Sequence, residues 1–208
     1  MIENLSDSSK LAAFKELKNS VYRNLYALAD LEKYGCFNKE YEFVYSHDSK
    51  GINWVVMKHA DSAQVVIFNN AEIDGLCGTL ASTKLLFCDP VTLEIMKPHL
   101  SIASVECGFV SCLSKEHEIV QLSDCKMAIS DRYSDISALI CTDDVMGRIN
   151  DPVELARSFE ERTNINFGHN FILQDGKRII SHVASYAEAE SYAVLSGVIT
   201  DPAYRGRG

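Results

Sequence analysis

An aliphatic run that stops at a proline sets the geometry of one end of this chain. Tyr192 to Thr200 is rich in β-branched and aliphatic residues, the composition of a mostly buried strand. Asp201-Pro202 ends it, because proline fixes φ and has no N–H to continue a ladder. Arg205, Gly206, Arg207 and Gly208 follow at once. Glycines after a strand let main-chain amides approach an anion closely, and guanidinium groups supply fixed charge of the right geometry for phosphate. Strand, proline turn and Arg/Gly loop together describe a cradle for a pyrophosphate. The same four residues taken alone also read as a flexible cationic tail able to contact nucleic acid.

The stretch from Val198 through Asp201-Pro202, Tyr204, Arg205 and Gly206 to Gly208 resembles the acetyl-CoA motif of the GNAT-type N-acetyltransferases. That family has a hydrophobic strand, a short turn with proline and tyrosine, then Arg/Gln-x-x-Gly-x-Gly/Ala at a helix start. Arg205 matches the first position and Gly208 the first glycine. The final small residue would fall two positions past Gly208. The resemblance implies that the backbone of Val198, Ile199 and Thr200 pairs with the pantetheine arm of acetyl-CoA. It implies that Arg205, Gly206, Arg207 and Gly208 wrap the pyrophosphate, with no metal involved. It further implies acetyl transfer to an amine of a small molecule or peptide, by direct attack, since no cysteine lies in the loop. The family's usual general acid is a tyrosine on a later helix, so no catalytic residue is assigned. With half of the cradle present, the chain as given is expected to bind CoA poorly. The competing expectation is a GNAT-like protein that binds a partner or CoA without turnover.

The rest of the chain reads as scaffold for this stretch. Leu11, Phe14, Leu17, Val21, Leu25, Leu28 and Leu31 form one apolar helical stripe, capped within Ser6 to Ser9, broken near Asn19-Ser20 and stopped by Gly35. Tyr22, Tyr26 and Tyr34 are expected at a core edge. Strands are expected over 42–45, 53–58 and 63–68 as an antiparallel meander, with Trp54 in the core. A loop over 69–78, a helix over 80–86, a short helix over 91–97 and strand over 102–113 follow. The loop carries Gly75 and Gly78 where a CoA loop would lie, but no arginine, so it is not expected to bind CoA. In the second half a strand is expected over 125–130, a loop over 131–135, and an apolar segment over 136–141. Asp151, Pro152 and Glu154 mark a helix start as N-cap, first residue and capping-box acid. Leu155 and Phe159 share a face of that helix, and Arg157, Glu160, Glu161 and Arg162 are expected in solvent. A strand over 169–173, the turn Asp175-Gly176, a strand over 177–187 and a turn at Glu188 to Glu190 lead into the final strand. This places the chain in the α/β class with a mixed sheet, as a degenerate GNAT-like half over 1–118 and an incomplete GNAT-like half over 119–208.

Composition narrows function further. Hydrophobic residues make up 47% of the chain and mean hydropathy is −0.05, enough for a real core without a membrane-length apolar run. The net charge of −9 argues against nucleic-acid binding over the whole surface. Seven cysteines, an odd number with no C-x-x-C, read as reduced and mostly buried thiols of a cytoplasmic protein. The six histidines lack metal spacing and default to the surface, save His182, whose strand could reach an active cleft. Glu188 and Glu190 read as solvated, and Ser196 as a strand serine bonded to backbone.

Overall fold

The computed structural model describes residues 1–19, 21–36, 41–70, 72–108, 111 and 128–206. The chain belongs to the α/β class and divides into two compact units, Met1–Cys112 and Leu113–Gly208. The expected division at 118 lies outside the described residues.

The first unit runs β1 (Ile2–Asn4), α1 (Asp7–Lys18), α2 (Leu25–Tyr34), β2 (Tyr41–Asp48), β3 (Gly51–His59), β4 (Ser62–Ile67), α3 (Ile73–Thr79), β5 (Leu85–Cys88) and α4 (Pro90–Met96). Its sheet has the order β1-β2-β3-β4-β5, antiparallel up to β4, with β5 parallel to β4. A parallel neighbour requires a crossover, and α3 supplies it. The apolar stripe is therefore two helices, separated at Asn19 by a short 3-10 turn, Val21–Arg23. Leu17, Leu28 and Leu31 are buried, whereas Leu11 is 80% exposed. Tyr22 is exposed, and Tyr34 stacks on Tyr41 with ring centroids 4.2 Å apart.

Period-two alternation gives this sheet two buried faces. Val44, Trp54, Val56, Ala63, Val65 and Ile67 form one core with Leu76 and Leu80 around α3 and Met96 of α4. Val55 and Met57, their alternates, are buried on the face that α1 meets. The expected loop over 69–78 and helix over 80–86 are corrected here. The segment 73–79 is helical, while Leu85, Leu86 and Phe87 extend along β4. Short apolar runs do not distinguish helix from strand, and pairing to β4 decides the second case. No strand forms over 102–108, and the remainder of the strand expected through 113 lies outside the described residues, apart from Ser111.

The second unit runs β6 (Ala128–Ile129), α5 (Tyr133–Ile140), α6 (Met146–Ile149), α7 (Pro152–Asn164), β7 (His169–Asp175), β8 (Arg178–Glu188) and β9 (Ala193–Thr200). All neighbours in the order β6-β7-β8-β9 are antiparallel. It thus repeats the order of the first unit through its fourth strand, with no repeat visible in the residues themselves. Ile136, Leu139, Ile140 and Phe159 of the helices pack on Ile172, Ile179 and Ile199 of the sheet. The opposite face carries Ile129 and Leu195, each 67% exposed. Residues 136–140 of the apolar segment and part of the preceding loop are helix α5, with Cys141 as its C-cap; of the strand expected over 125–130, residues 128–129 form β6 and 125–127 lie outside the described residues.

Helix α7 begins as expected at Asp151, whose carboxylate accepts from the amides of Val153 at 2.9 Å and Glu154 at 3.0 Å. The capping box does not close, because Glu154 turns to Arg157 instead. Asp151→Ala leaves both amides without a protein acceptor and should cost about 1 kcal/mol of stability, as N-cap losses do. Urea unfolding of the variant checks this. Arg162 is not a solvated residue. Its guanidinium lies 3.9 Å above the Tyr186 ring and donates to the Tyr186 carbonyl. Among the described residues, no helix is long and apolar enough to cross a membrane. Of the described cysteines, Cys107 is exposed and Cys36 buried; Cys112 and Cys125 lie outside the described residues.

Candidate functional site

The strand before Asp201 is an edge strand. β9 stands last in the sheet order, so its outer side has no ladder partner among the described residues. This corrects the expectation of a mostly buried strand: Leu195 and Val198 are exposed, and Ile199 alone is buried. A free edge presents main-chain N–H and C=O groups to any extended chain that can pair with them.

β9 is also bulged. Ala184 of β8 faces Ser196 and His182 faces Ile199, so one residue of β8 opposes Gly197 and Val198 together. Gly197 has φ +62, and a side chain there would stand 3.2 Å from His182 Cε1. Glycine adopts this left-handed conformation without the steric cost other residues bear. The extra residue restores parity, so that Ser196 and Ile199 both pair with inward-facing residues of β8.

His182 fixes how the bulged peptide is turned. Its Nδ1 lies 2.8 Å from the Gly197 carbonyl oxygen and its Nε2 3.0 Å from Oδ1 of Asn170 on β7. A neutral imidazole has one donor nitrogen and one acceptor. The Gly197 carbonyl can only accept, so Nδ1 carries the proton. Turning the Asn170 amide about its last bond exchanges Oδ1 for the NH₂ group, from which the unprotonated Nε2 then accepts. Burial drives the ring below its ordinary pKa, opposed by the bond to Gly197, and the neutral form is the folded one. His182 is thus a buried bracket, 2% exposed, and does not reach an open cleft. Across a planar trans peptide the C=O and N–H point in opposite directions. With the Gly197 carbonyl turned to the buried His182 ring, the Val198 N–H points away from that ring.

The pH consequence follows from the neutral ring. Below the ordinary value of 6.5 the unfolded chain takes up a proton that folded His182 refuses until its lowered value is reached. This stability is complete above 6.5 and is lost as the pH falls below it. Asn170, Gly197 and Phe159, the groups around the ring, carry no charge. Asp143 and Asp201, held below 3.8 by backbone amides first of all, act only at lower pH. Melting curves between about pH 7.5 and 5 should therefore fall for the native protein and flatten for His182→Gln.

The turn after β9 is anchored to the β7–β8 hairpin. The Asp201 N–H donates to Ile180 O at 2.8 Å, adding one more bond to the ladder. Its carboxylate accepts from Ala203 N at 3.0 Å and from Arg178. Tyr204 in the 3-10 turn Pro202–Tyr204 donates its hydroxyl to Asp175 at 2.8 Å. Arg205 folds back, and its Nε donates to the Thr200 carbonyl at 2.9 Å. The charge of Arg205 also acts on Asp143 and Asp201. Gly206 follows, exposed, with φ +73. Of the residues expected to hold the cofactor, Val198 lies at the free edge. Thr200 is half-buried, its hydroxyl 3.1 Å from that of Ser181, and Ile199 points its side chain into the core. Arg207 and Gly208 lie outside the described residues.

Two residues the sequence reading missed are His182 and Asn170 in these roles. The available signal was Gly197, an isolated glycine inside a strand pattern, which marks bulges. Glu188 is also corrected: it ends β8, where it accepts from Ser185 and lies 2.8 Å from His169 Nδ1.

The corresponding edge of the first unit is closed. The β4–β5 ladder runs from Ser62/Leu85 to Val65/Cys88, and β4 continues alone through Val66 and Ile67. Buried Thr92 of α4 fills the opening. Its hydroxyl oxygen is 3.5 Å from Ile67 N, and it donates to Asp89, which pairs with Arg23 at 2.9 Å. Glu72 and Asp74 add negative charge at the start of α3. No family model and no curated protein matches the chain.

Proposed function

We propose that the protein is a cytoplasmic N-acetyltransferase of GNAT type, passing acetyl from acetyl-CoA to an amine of a small molecule or peptide, with its second unit as the working half. The observation that carries this reading is the turned peptide at Gly197-Val198 on an unpaired strand edge. The edge suits an extended pantetheine arm, which carries amides of its own. The Val198 N–H suits the thioester oxygen, whose negative charge grows as an amine attacks. The neutral amine nitrogen forms the new C–N bond, the tetrahedral intermediate collapses, and the C–S bond breaks to release CoA thiolate. The amine proton passes to water. Arg205 and Gly206, with Arg207 and Gly208, would hold the pyrophosphate with no metal. Closure of the equivalent edge by Thr92 favours a second role for the first unit, that of a GNAT-like fold without cofactor binding.

The test is incubation of the protein with acetyl-CoA and a panel of amines and peptides, following thiol release and acetylated product together. Stoichiometric CoA and N-acetylamine is the expected result. Thiol release without acetylated amine, or none at all at millimolar acetyl-CoA, would count against it.

A further inference from the structure

Resting on that reading, we infer that His182 is a positioning residue for acetyl transfer: it holds the amide of Val198 by fixing the Gly197 carbonyl, and never touches the substrate. Parity alone requires one extra residue in β9, but it does not decide which way the extra peptide faces. A chain of three side-by-side groups decides it. Asn170 on β7 orients the ring, His182 on β8 donates from Nδ1, and Gly197 on β9 accepts. The imidazole is buried, with the Phe159 ring of α7 5.7 Å from it and Ile140 of α5 beside Gly197. A donor fixed before the reaction needs no reorganisation when charge develops, which is why such preorganisation lowers barriers.

Two substitutions separate this role from simple packing. In His182→Asn the amide nitrogen stands where Nδ1 stood and can still donate to Gly197. In His182→Gln it stands near Nε2, keeping the Asn170 contact and losing the one to Gly197. The acetyl carbonyl infrared band of carbonyl-labelled acetyl-CoA is recorded at millimolar ligand with the native protein and both variants. CoA affinity and kcat are measured beside it. The expected result is a band moved to lower wavenumber in the native protein and His182→Asn, and unmoved in His182→Gln. CoA affinity should be alike in all three, with kcat for His182→Gln lower by roughly 10²-fold, as for loss of one oxyanion donor. Ring nitrogen NMR of the native protein should place the proton on Nδ1, which keeps the test open even if a variant misfolds. A lowered band in His182→Gln, or the ring proton on Nε2, overturns the role of His182 and leaves the transferase reading standing. Native protein that shows no acetyl-CoA binding, or binds with an unmoved band, removes the transferase reading and this role with it.

Discussion

Gly197→Ala is expected to lower kcat/KM for acetyl transfer roughly 10²–10³-fold, the loss typical of one oxyanion donor. At φ +62 an alanine costs about 1–2 kcal/mol in backbone energy alone. Its methyl group would also stand 3.2 Å from His182 Cε1 and 3.4 Å from Nδ1. The chain relieves both by rotating the peptide between 197 and 198. That rotation withdraws the carbonyl from His182 and swings the Val198 N–H with it. Gly176→Ala is the matched control. Gly176 has φ +58 in the β7–β8 turn and open space where its methyl would go. It carries the same backbone cost with no effect on the bulge. Equal rates in the two variants would show that the peptide at 197–198 has no part in the reaction.

Trp54→Ala is expected to destabilise the first unit by about 3–5 kcal/mol, the range for aromatic truncations in a core. Trp54 is fully buried between the strands and the α3–α4 layer, and its indole N–H donates to the Glu72 carbonyl at 3.2 Å. The variant removes the largest side chain of that core and one of the two donors to the Glu72 carbonyl, which keeps its bond from the Leu76 N–H. Folded domains have only about 5–15 kcal/mol in hand, so most of the unit's stability would go. Hydrogen exchange of the β2, β3 and β4 amides reads this directly, since the variant has no tryptophan left to fluoresce. Protection factors reduced less than tenfold would mean the site collapses around the gap.

Much of the fold was legible because its signals are local. The three strands of each meander, the turn at Asp175-Gly176, the break at Asn19 and the cap at Asp151 each follow from the chemistry of a few adjacent residues. Failures came where partners distant in sequence decide. Leu85 to Cys88 become a strand because β4 offers a parallel edge, and 73–79 a helix because the crossover must close over Trp54. Of the candidate site, the strand end and its turn could be read from Val198 to Gly206. The bracket could not, since Asn170, His182 and Gly197 are brought together only by the register of three strands. The exposure of β9 was likewise hidden: the same aliphatic run suits a central strand or an edge, and sheet order alone decides.

The most direct measurement of the central claim is the amide spectrum of the isotope-labelled protein titrated with acetyl-CoA to millimolar concentration. The account predicts that Val198, Thr200 and the amides of the turn through Gly206 shift together along one binding curve, while Val66 and Ile67 at the closed edge of the first unit stay in place. Shifts confined to the first unit, or a β9 edge that does not respond at all, would contradict it.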